Sequence, residues 1–483
     1  MEVLMSAVAS DLIGRLVSFL IGKYLDPGAA DGNVRLHRAL LRARTVVEEA
    51  EGRQIGNRAM LLQLEQLRGA MCRGYYALDA FRRCAVDRNT RSRAVESSSF
   101  SRLPPRGGDA AADGLAAVAR SLESALGDMR EFVVLVGGCP RLNRQPYSAY
   151  LFMESCMFGR QMEKEQIIGF LLQQPAQDLE VLPIIGPHEV GKRTLVEHVC
   201  LDERVRQHFA KIYHLRSDDL DLPSWSLLDP TTRSLIIVDL AGGDAYDEEE
   251  EEAWRRFRSS TRRRAHRQSK IILISTAERQ ACLGTVPPLR LRAPRPEELW
   301  YFFRTLAFGA EDPEARPELL RVAMAMCGSI CDDAVFASAS ILAAALRADL
   351  SARSWRRVQR VFAEAAERRR PDKRGCFHYR CTPAKGAPGA TCVFYDKRKS
   401  TGVARGELPE VKMLEVFAGG GAALPGGETR IEVLVWQSRV PPFASYIATC
   451  DIERALQPAA GEKRVRKRRR GRQWRIDDHR QNL

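Results

Sequence analysis

The segment Val181–Cys200, VLPIIGPHEVGKRTLVEHVC, decides the fold of this chain. Its apolar run Val181–Ile185 predicts a buried strand, and Leu195–Cys200 has the apolar spacing of a helix that is beginning. Between them stands GxxxxGK, the spacing of a phosphate-binding loop. Glycine lets backbone N–H groups turn toward an anion, the helix N-terminus adds partial positive charge, and Lys192 can reach the outer phosphates. A strand–helix turn that binds nothing is the alternative for this segment alone.

One residue of the loop departs from that pattern. The position after the lysine usually carries a hydroxyl that ligates Mg²⁺, but here it is Arg193, and Thr194 follows one place later. A guanidinium has N–H donors and no acceptor, so it cannot ligate a cation. We therefore predict a loop that holds phosphate and whose Mg²⁺ chemistry is doubtful. The predicted binding residues of the loop are Gly186, Val190, Gly191, Lys192, Arg193 and Thr194.

An acidic residue follows a second apolar run. Leu235–Val238 reads as a strand of the same sheet and ends in Asp239. Ligands of parallel α/β sheets bind at the carboxyl ends of the strands, so Asp239 is the candidate metal ligand, directly or through water. The alternative is a solvent-facing aspartate at a strand end.

Composition and charge limit the class of protein. The 483 residues are enough for about three domains, and an apolar content of 45% is ordinary for a globular chain. The 12 cysteines include no CxxC pair, no signal peptide is evident, and the first apolar segment is too short and charged to span a membrane, which together predict a cytoplasmic protein. Much of the net charge of +14 lies in Lys463–Arg475, KRVRKRRRGRQWR, which suits nuclear import or nucleic-acid contact unless it is a solvated tail without a partner.

The hydrophobic pattern divides the chain into five units. Four amphipathic stripes predict an N-terminal four-helix bundle over 1–136, and alternating strand and helix segments predict a P-loop NTPase-type parallel α/β domain over 150–295. A helical lid is predicted over 296–370, and short β-type runs predict a small β-rich module over 374–456. A basic disordered tail, 457–483, follows.

Three finer features are also predicted. Arg88–Ala112 is rich in Ser, Arg, Gly and Pro, which favours a loop between the third and fourth helices. The acidic run Asp247–Glu252 reads as an exposed loop that leads into a basic helix. Met413–Phe417 reads as a strand of the β-rich module.

Several longer motifs stand beside the loop. They are QLEQLRGAMCRGYYALDAF (Gln63–Phe81), MFGRQMEKEQIIGFLL (Met157–Leu172), SLIIVDL (Ser234–Leu240), SKIILISTA (Ser269–Ala277) and RAPRPEELWYFFRTLAFG (Arg292–Gly309). In this order they resemble the plant coiled-coil NB-ARC disease-resistance (NLR) family, in particular a grass-type branch. The resemblance implies that the second motif lines the adenine, with Phe158, Gly159 and Arg160 in the motif positions.

The chain also departs from the family's pattern. Arg193 replaces the metal-binding hydroxyl, Leu240 stands where a second acid is expected, and the sensor arginine falls on Ala277. The lid motif appears only as Cys327–Ile330, without its proline. No LxxLxL period occurs in the C-terminal third, so the resemblance is to members without leucine-rich repeats.

The resemblance implies ADP or ATP as the cofactor, a role in plant defence, and other coiled-coil or NLR-type proteins as partners of the N-terminal bundle. Because the metal ligand, the second acid and the sensor arginine are altered together, we predict nucleotide binding that depends weakly on Mg²⁺ and negligible turnover. Arg193 would contact the β-phosphate and supply part of the metal's charge. The alternatives are a hydrolysing switch in which Thr194 and Asp239 manage Mg²⁺, a nuclear nucleic-acid-associated protein driven by the basic tail, or a decaying paralogue.

Overall fold

The structure is a computed structural model of the chain. It describes residues 32–95, 108–141, 157–174, 179–188, 190–220, 229–240, 248–330, 335–367, 379–381, 390–400, 408–413 and 430–454. The first predicted helix of the bundle and the basic tail 457–483 lie outside the described residues.

The N-terminal region is helical. Its described helices are α1 (Gly32–Glu51), α2 (Arg58–Val95), α3 (Gly108–Gly127) and α4 (Arg130–Gly137). One of the four predicted amphipathic stripes consists of Leu36, Leu40, Ala43 and Val47, which are spaced by four, three and four residues and are buried on α1. The stripe shares one apolar core with buried residues of α2 and α3, so its spacing identifies the side of the helix that faces the core.

Two boundaries in this region differ from the prediction. Helix α2 continues to Val95 and α3 already begins at Gly108, so the predicted loop Arg88–Ala112 was too long at both ends. Arginine and alanine are good helix formers, and they outweigh the breakers at both edges of that segment. The fourth predicted helix is interrupted between Gly127 and Arg130, where the chain turns from α3 into α4.

A five-stranded parallel sheet follows. Its elements in chain order are α5 (Gln161–Leu172), β1 (Glu180–Ile185), α6 (Lys192–Cys200), α7 (Glu203–His208), β2 (Lys211–Arg216), β3 (Ser234–Asp239), α8 (Glu248–Arg264), β4 (Lys270–Ser275) and β5 (Leu289–Arg290). The strand order is β2-β3-β4-β1-β5. The strands β1, β3 and β4 are buried and apolar apart from their end residues, because helices cover both faces of the sheet: α5, α6 and α7 on one face and α8 on the other. This is a P-loop NTPase-like α/β arrangement.

The acidic run before the basic helix was predicted wrongly as a loop. Its described residues form the first turns of α8 itself. Carboxylates are favourable near a helix N-terminus and arginines near the C-terminus, and α8 ends in Arg262, Arg263 and Arg264. Pairs one turn apart, such as Glu251 with Arg255 at 2.6 Å, add to this preference.

The described residues after the sheet include the helices α9 (Pro296–Phe308), α10 (Pro317–Cys327), α11 (Val335–Arg347) and α12 (Ala352–Glu367). Proline at the first position of α9 has no N–H to leave unpaired, and Glu298 accepts a hydrogen bond from the Arg295 N–H at 3.0 Å. Buried residues of α9 and α10 belong to the same apolar core as those of α1 to α4. The division of the chain into five units stays a prediction, since this core joins two of them.

A buried polar cluster lies inside this shared core. Asp79 of α2 is 0% exposed and accepts a hydrogen bond from the indole Nε1 of Trp300 at 3.0 Å. The Nε of Arg304 lies 2.9 Å from the same carboxylate, and Nη1 of Arg82 lies 3.8 Å away. Burial raises the pKa of Asp79, and the charge of Arg304 opposes that shift. The cluster joins α2 to α9.

The described residues after α12 include an antiparallel sheet. Its strands are β6 (Tyr379–Cys381), β7 (Ala390–Ser400), β8 (Arg430–Gln437) and β9 (Ser445–Arg454), in the order β6-β7-β9-β8. Of the predicted strand Met413–Phe417, only Met413 lies among the described residues; it shares an apolar cluster with residues of β8 and follows an isolated bridge at Lys412. Strand β9 was not predicted as a separate strand. Across the ranges that the structure describes, no helix is both long and apolar enough to cross a membrane.

Candidate functional site

The turn from β1 to α6 has the shape of a phosphate loop. A Cβ on Gly186 would lie 2.6 Å from the carbonyl oxygen of Leu291, so only glycine fits there. Gly191 has φ +96°, a left-handed conformation that glycine adopts without strain, and it directly precedes α6. The two predicted glycines are thus required by the backbone and by close packing. The loop therefore brings the chain directly into the N-terminus of α6, where an anion is favoured.

Lys192 is buried at the start of α6. Its Nζ donates hydrogen bonds to the carbonyl oxygens of Gly186 and Pro187, both at 2.7 Å. Burial lowers the pKa of Lys192 to about 8; the carboxylate of Asp239 opposes this shift and the charge of Arg193 adds to it. A polyphosphate at the loop would offer the ammonium a charged partner in place of the two carbonyls.

Arg193 forms an ion pair with the strand-end aspartate. Its Nε donates to Oδ2 of Asp239, and the two side chains are 47% and 17% exposed. A guanidinium therefore stands at the carboxylate that a metal would use. No group of three or more His, Cys, Asp or Glu side chains that could hold a metal ion occurs in the described part of the chain. Asp239 as a metal ligand stays a prediction, and its present partner does not favour Mg²⁺.

The loop opens into a cavity of about 640 Å³. Its wall carries two carboxylates, Asp218 and Asp239, against five cationic side chains: Lys192, Arg193, Arg216, Arg347 and Arg439. The apolar part of the wall comes from the segment before α5, from α9 and from α11, and includes Met157, Phe158, Phe302, Leu306 and Phe336. The cavity thus combines excess positive charge with an apolar, partly aromatic wall.

The predicted adenine segment is divided by the structure. Phe158 lines the cavity and packs against Phe302 with ring centroids 5.6 Å apart. Gly159 and Arg160 line a second hollow beside α2, which shares Phe158 and Phe336 with the wall of the first cavity. There Arg68 donates to the Gly159 carbonyl at 3.1 Å, and Arg160 donates to the Arg292 carbonyl at 2.5 Å.

The other predicted residues divide in the same way. Gly191, Lys192, Arg193, Thr194 and Asp239 meet at the cavity. Val190 is buried in the core beside β1 instead. Gly186 shapes the loop and accepts a hydrogen bond from Lys192, but it does not line the cavity wall.

Sequence reasoning missed several parts of the wall. Arg216 is the last residue of β2, Ser217 and Asp218 follow it, and Thr276 follows β4, so their place at the carboxyl ends of parallel strands could have identified them. The residues from α11 and from the β8–β9 connection carry no local signal, because they reach the cavity through long-range packing.

The chain is similar in sequence to plant disease-resistance proteins. It is 24% identical to disease resistance protein RGA2 of Solanum bulbocastanum over 339 residues, or 64% of this chain and 34% of that protein. The putative disease resistance protein RGA1 of the same species matches at 24% over 381 residues, or 72% of this chain and 37% of that protein. A putative disease resistance RPP13-like protein 1 of Arabidopsis thaliana matches at 28% over 238 residues, or 46% of this chain and 22% of that protein.

The chain thus spans about a third of the length of the first two relatives. No protein-family model matches it. A chain from a structure of Drosophila ORC bound to DNA aligns with a TM-score of 0.32 and 13% identity, over 45% of this chain and 69% of that chain. The grass-type branch stays a prediction. The relatives are plant disease-resistance proteins, and together with the motifs they support a relation of this chain to the plant NB-ARC disease-resistance (NLR) family.

Proposed function

We propose that the chain is a plant-defence signalling protein that binds ADP or ATP in this cavity and acts as a non-hydrolysing or very slow nucleotide switch. The observation that carries the proposal is the ion pair between Arg193 and Asp239 beside Lys192, within a cationic cavity at a glycine-shaped loop. The loop and the lysine favour a polyphosphate, while the guanidinium takes the place of the metal.

The cavity chemistry supports a nucleotide as the anion. A nucleoside diphosphate or triphosphate carries several negative charges at one end and a flat aromatic base at the other. The cationic side chains suit the first, and Met157, Phe158 and Phe302 suit the second. Simple phosphate would leave the apolar part of the wall unused.

Slow or absent hydrolysis follows from the same residues. Hydrolysis of a nucleotide needs a metal between the outer phosphates, a group that positions water, and a cation for the developing charge. Asp239 is paired with Arg193, its neighbour Leu240 has no carboxylate, and Ala277 has no guanidinium. The residues that would hold Mg²⁺ therefore do not fit it as they stand, and no step through the metal is proposed.

The signalling role would be carried by the helical region. Apolar side chains on α1 and α4 are exposed in the described structure, among them Leu41 at 52% and Val134 at 74%. Exposed leucine and valine on helices suit other coiled-coil or NLR-type proteins as partners. The basic tail, with its suggested nucleic-acid contact, lies outside the described residues and adds nothing here.

The test is a binding and turnover measurement on the full chain. Fluorescent ADP and ATP are titrated into the wild type and into Lys192→Ala, each with Mg²⁺ and with EDTA, and phosphate release is followed. We expect similar affinity in Mg²⁺ and in EDTA, a loss of about 100-fold in Lys192→Ala because a buried charge-assisted contact is removed, and no steady phosphate release. Binding that collapses in EDTA, together with steady release, would favour the hydrolysing alternative.

A further inference from the structure

The connection between β8 and β9 forms part of the cavity wall. This hairpin, residues 436–446, contributes Trp436, Arg439, Pro442 and Tyr446 among others to the lining. The same cavity contains the phosphate loop and Asp239, which belong to the parallel sheet. Two sheets that are separate in the chain therefore meet at one hollow.

The hairpin has a defined shape of its own. The Ser438 N–H donates to the Ala444 carbonyl at 2.8 Å, and the Phe443 N–H donates to the Val440 carbonyl at 2.9 Å. The Ser438 hydroxyl donates to the Val440 carbonyl at 2.9 Å. These bonds enclose Arg439, so its backbone position on the wall is fixed from both sides.

Helix α11 holds the hairpin in place. Ala337 of α11 shares a buried cluster with Val435, Ala444 and Tyr446 of the antiparallel sheet. The same helix lines the cavity further along, where Arg347 donates to the Leu306 carbonyl at 3.1 Å. One helix thus connects the seat of the hairpin with the wall that faces the phosphate loop.

We propose that Arg439 binds the polyphosphate of the nucleotide from the C-terminal sheet, so that nucleotide binding and docking of this sheet on α11 are coupled. The proposal rests on the proposed function and names a further residue of the same site. A guanidinium can hold two phosphate oxygens at once, which suits Arg439 to this role. Coupling works in both directions: an anion that contacts both sheets stabilises the docked arrangement, and docking strengthens binding of the anion.

The first experiment measures ATP affinity in EDTA for the wild type, Arg439→Gln and a matched control, Arg430→Gln. Arg430 is exposed in the same sheet, pairs with Asp451 at 2.8 Å, and does not line the cavity. We expect Arg439→Gln to bind about tenfold more weakly, as expected from the loss of one charge-assisted contact, and Arg430→Gln to stay within about twofold of the wild type. Thermal melts of the three proteins check that each is folded. If Arg439→Gln does not fold, Arg439→Lys, which keeps the charge, replaces it. This variant is expected to lose affinity by a smaller factor than Arg439→Gln.

The outcomes separate this inference from the proposed function. If the wild type binds ATP and Lys192→Ala weakens it while Arg439→Gln binds like Arg430→Gln, the role of Arg439 is refuted and the nucleotide site stands. If the wild type binds no nucleotide, the proposed function fails and this inference fails with it.

Hydrogen exchange supplies a second readout of the coupling. Amides of β9, Ser445–Arg454, are expected to exchange more slowly when ATP is added to the wild type, because docking of the sheet is stabilised. The slowing should be smaller in Arg439→Gln at equal nucleotide occupancy. Equal slowing in both proteins, or none in the wild type, would overturn the coupling.

Discussion

Two arginine–aspartate pairs of this molecule have opposite surroundings. Arg193 and Asp239 meet at the mouth of a cavity and are 47% and 17% exposed. Arg304 and Asp79 meet inside the core, at 10% and 0% exposed, with the indole of Trp300 on the same carboxylate. The side chains are the same in kind, but only the first pair is in contact with a hollow that a ligand can enter.

The difference in burial decides in which pair a ligand or water can replace one of the two partners. At the cavity, water can solvate either partner and phosphate can replace the carboxylate of Asp239 on Arg193, so the pair adds little to stability and much to the choice of ligand. In the core, removal of one partner leaves the other charge buried without compensation, which is costly. The buried pair therefore fixes how α2 sits on α9, and the cavity pair fixes what the site can bind.

The largest effect is expected from removing the buried acid. Asp79→Ala leaves Arg304 and the Trp300 N–H without their carboxylate, while Arg82 keeps its pair with Glu314 at 3.0 Å, and the free energy of unfolding should fall by about 3–5 kcal/mol. Urea unfolding of the full chain measures it. Glu123→Ala, which removes the exposed partner of Arg35 at 2.7 Å, is the control and should change stability by less than about 1 kcal/mol. Equal effects in the two variants would contradict the comparison.

A buried acid with a more distant partner tests the role of burial by itself. Glu51 lies 4.0 Å from Arg68, and burial raises its pKa from 4.5 to about 7, with the charge of Arg68 opposing the shift. The folded state therefore favours the protonated form. This contribution to stability is fully present below pH 4.5 and is lost as the pH rises through 7.

Glu51→Gln should remove that dependence. Relative to the wild type, the variant should gain up to about 3 kcal/mol between pH 4.5 and pH 8, following the shift of the pKa. Unfolding of both proteins at the two pH values gives the difference directly. A constant difference across this range would mean that Glu51 stays charged in the fold.

The third effect concerns binding at the cavity. Burial lowers the pKa of Lys192 to about 8 without ligand, and a bound polyphosphate would favour the charged form. ATP affinity should therefore fall above pH 8, by up to about tenfold for each pH unit, because binding must then take up a proton. Lys192→Arg keeps its charge at these pH values and should show a flat profile. If ATP affinity fell equally with pH in both proteins, the group that takes up the proton would be one other than Lys192.

The smallest change in stability is expected at the cavity pair. Arg193→Thr restores a hydroxyl at the metal position and frees Asp239, and since Arg193 is about half exposed, the free energy of unfolding should change by less than about 1 kcal/mol. Nucleotide binding should become dependent on Mg²⁺, with affinity at least about tenfold higher in Mg²⁺ than in EDTA. Arg256→Thr on the exposed face of α8 is the control for the substitution itself. Unchanged behaviour toward Mg²⁺ would show that Arg193 does not decide the metal requirement.

Much of the parallel sheet could be predicted from the sequence. The runs Val181–Ile185 and Leu235–Val238 consist of apolar, mainly β-branched and leucine residues, and each lies within one residue of its strand. Strands that are buried on both faces of a parallel sheet have continuous apolar runs of this kind, which is why the pattern identified them. The acidic start of α8 was misread because charge alone does not distinguish a solvated loop from the first turns of a helix.

Only part of the candidate site could be predicted from the sequence. The glycines, Lys192 and the strand-end Asp239 follow from local spacing, whereas the Arg193–Asp239 pair depends on how α6 and β3 are placed side by side. The hairpin residues depend on docking of a sheet more than two hundred residues further along the chain. No local pattern around Arg439 marks that contact.

The single apolar core shared by α1 to α4 with α9 and α10 has a mechanical consequence. Because Trp300, Tyr301 and Phe303 are buried in one core with residues of α1 to α4, these helices cannot move as a rigid body about a flexible linker while the core stays intact. Separation of α1 to α4 from α9 requires that the shared core is broken and its aromatic side chains are hydrated, so it is expected to be cooperative. A ligand or partner that releases these helices must therefore supply enough binding free energy to offset the loss of the whole shared interface.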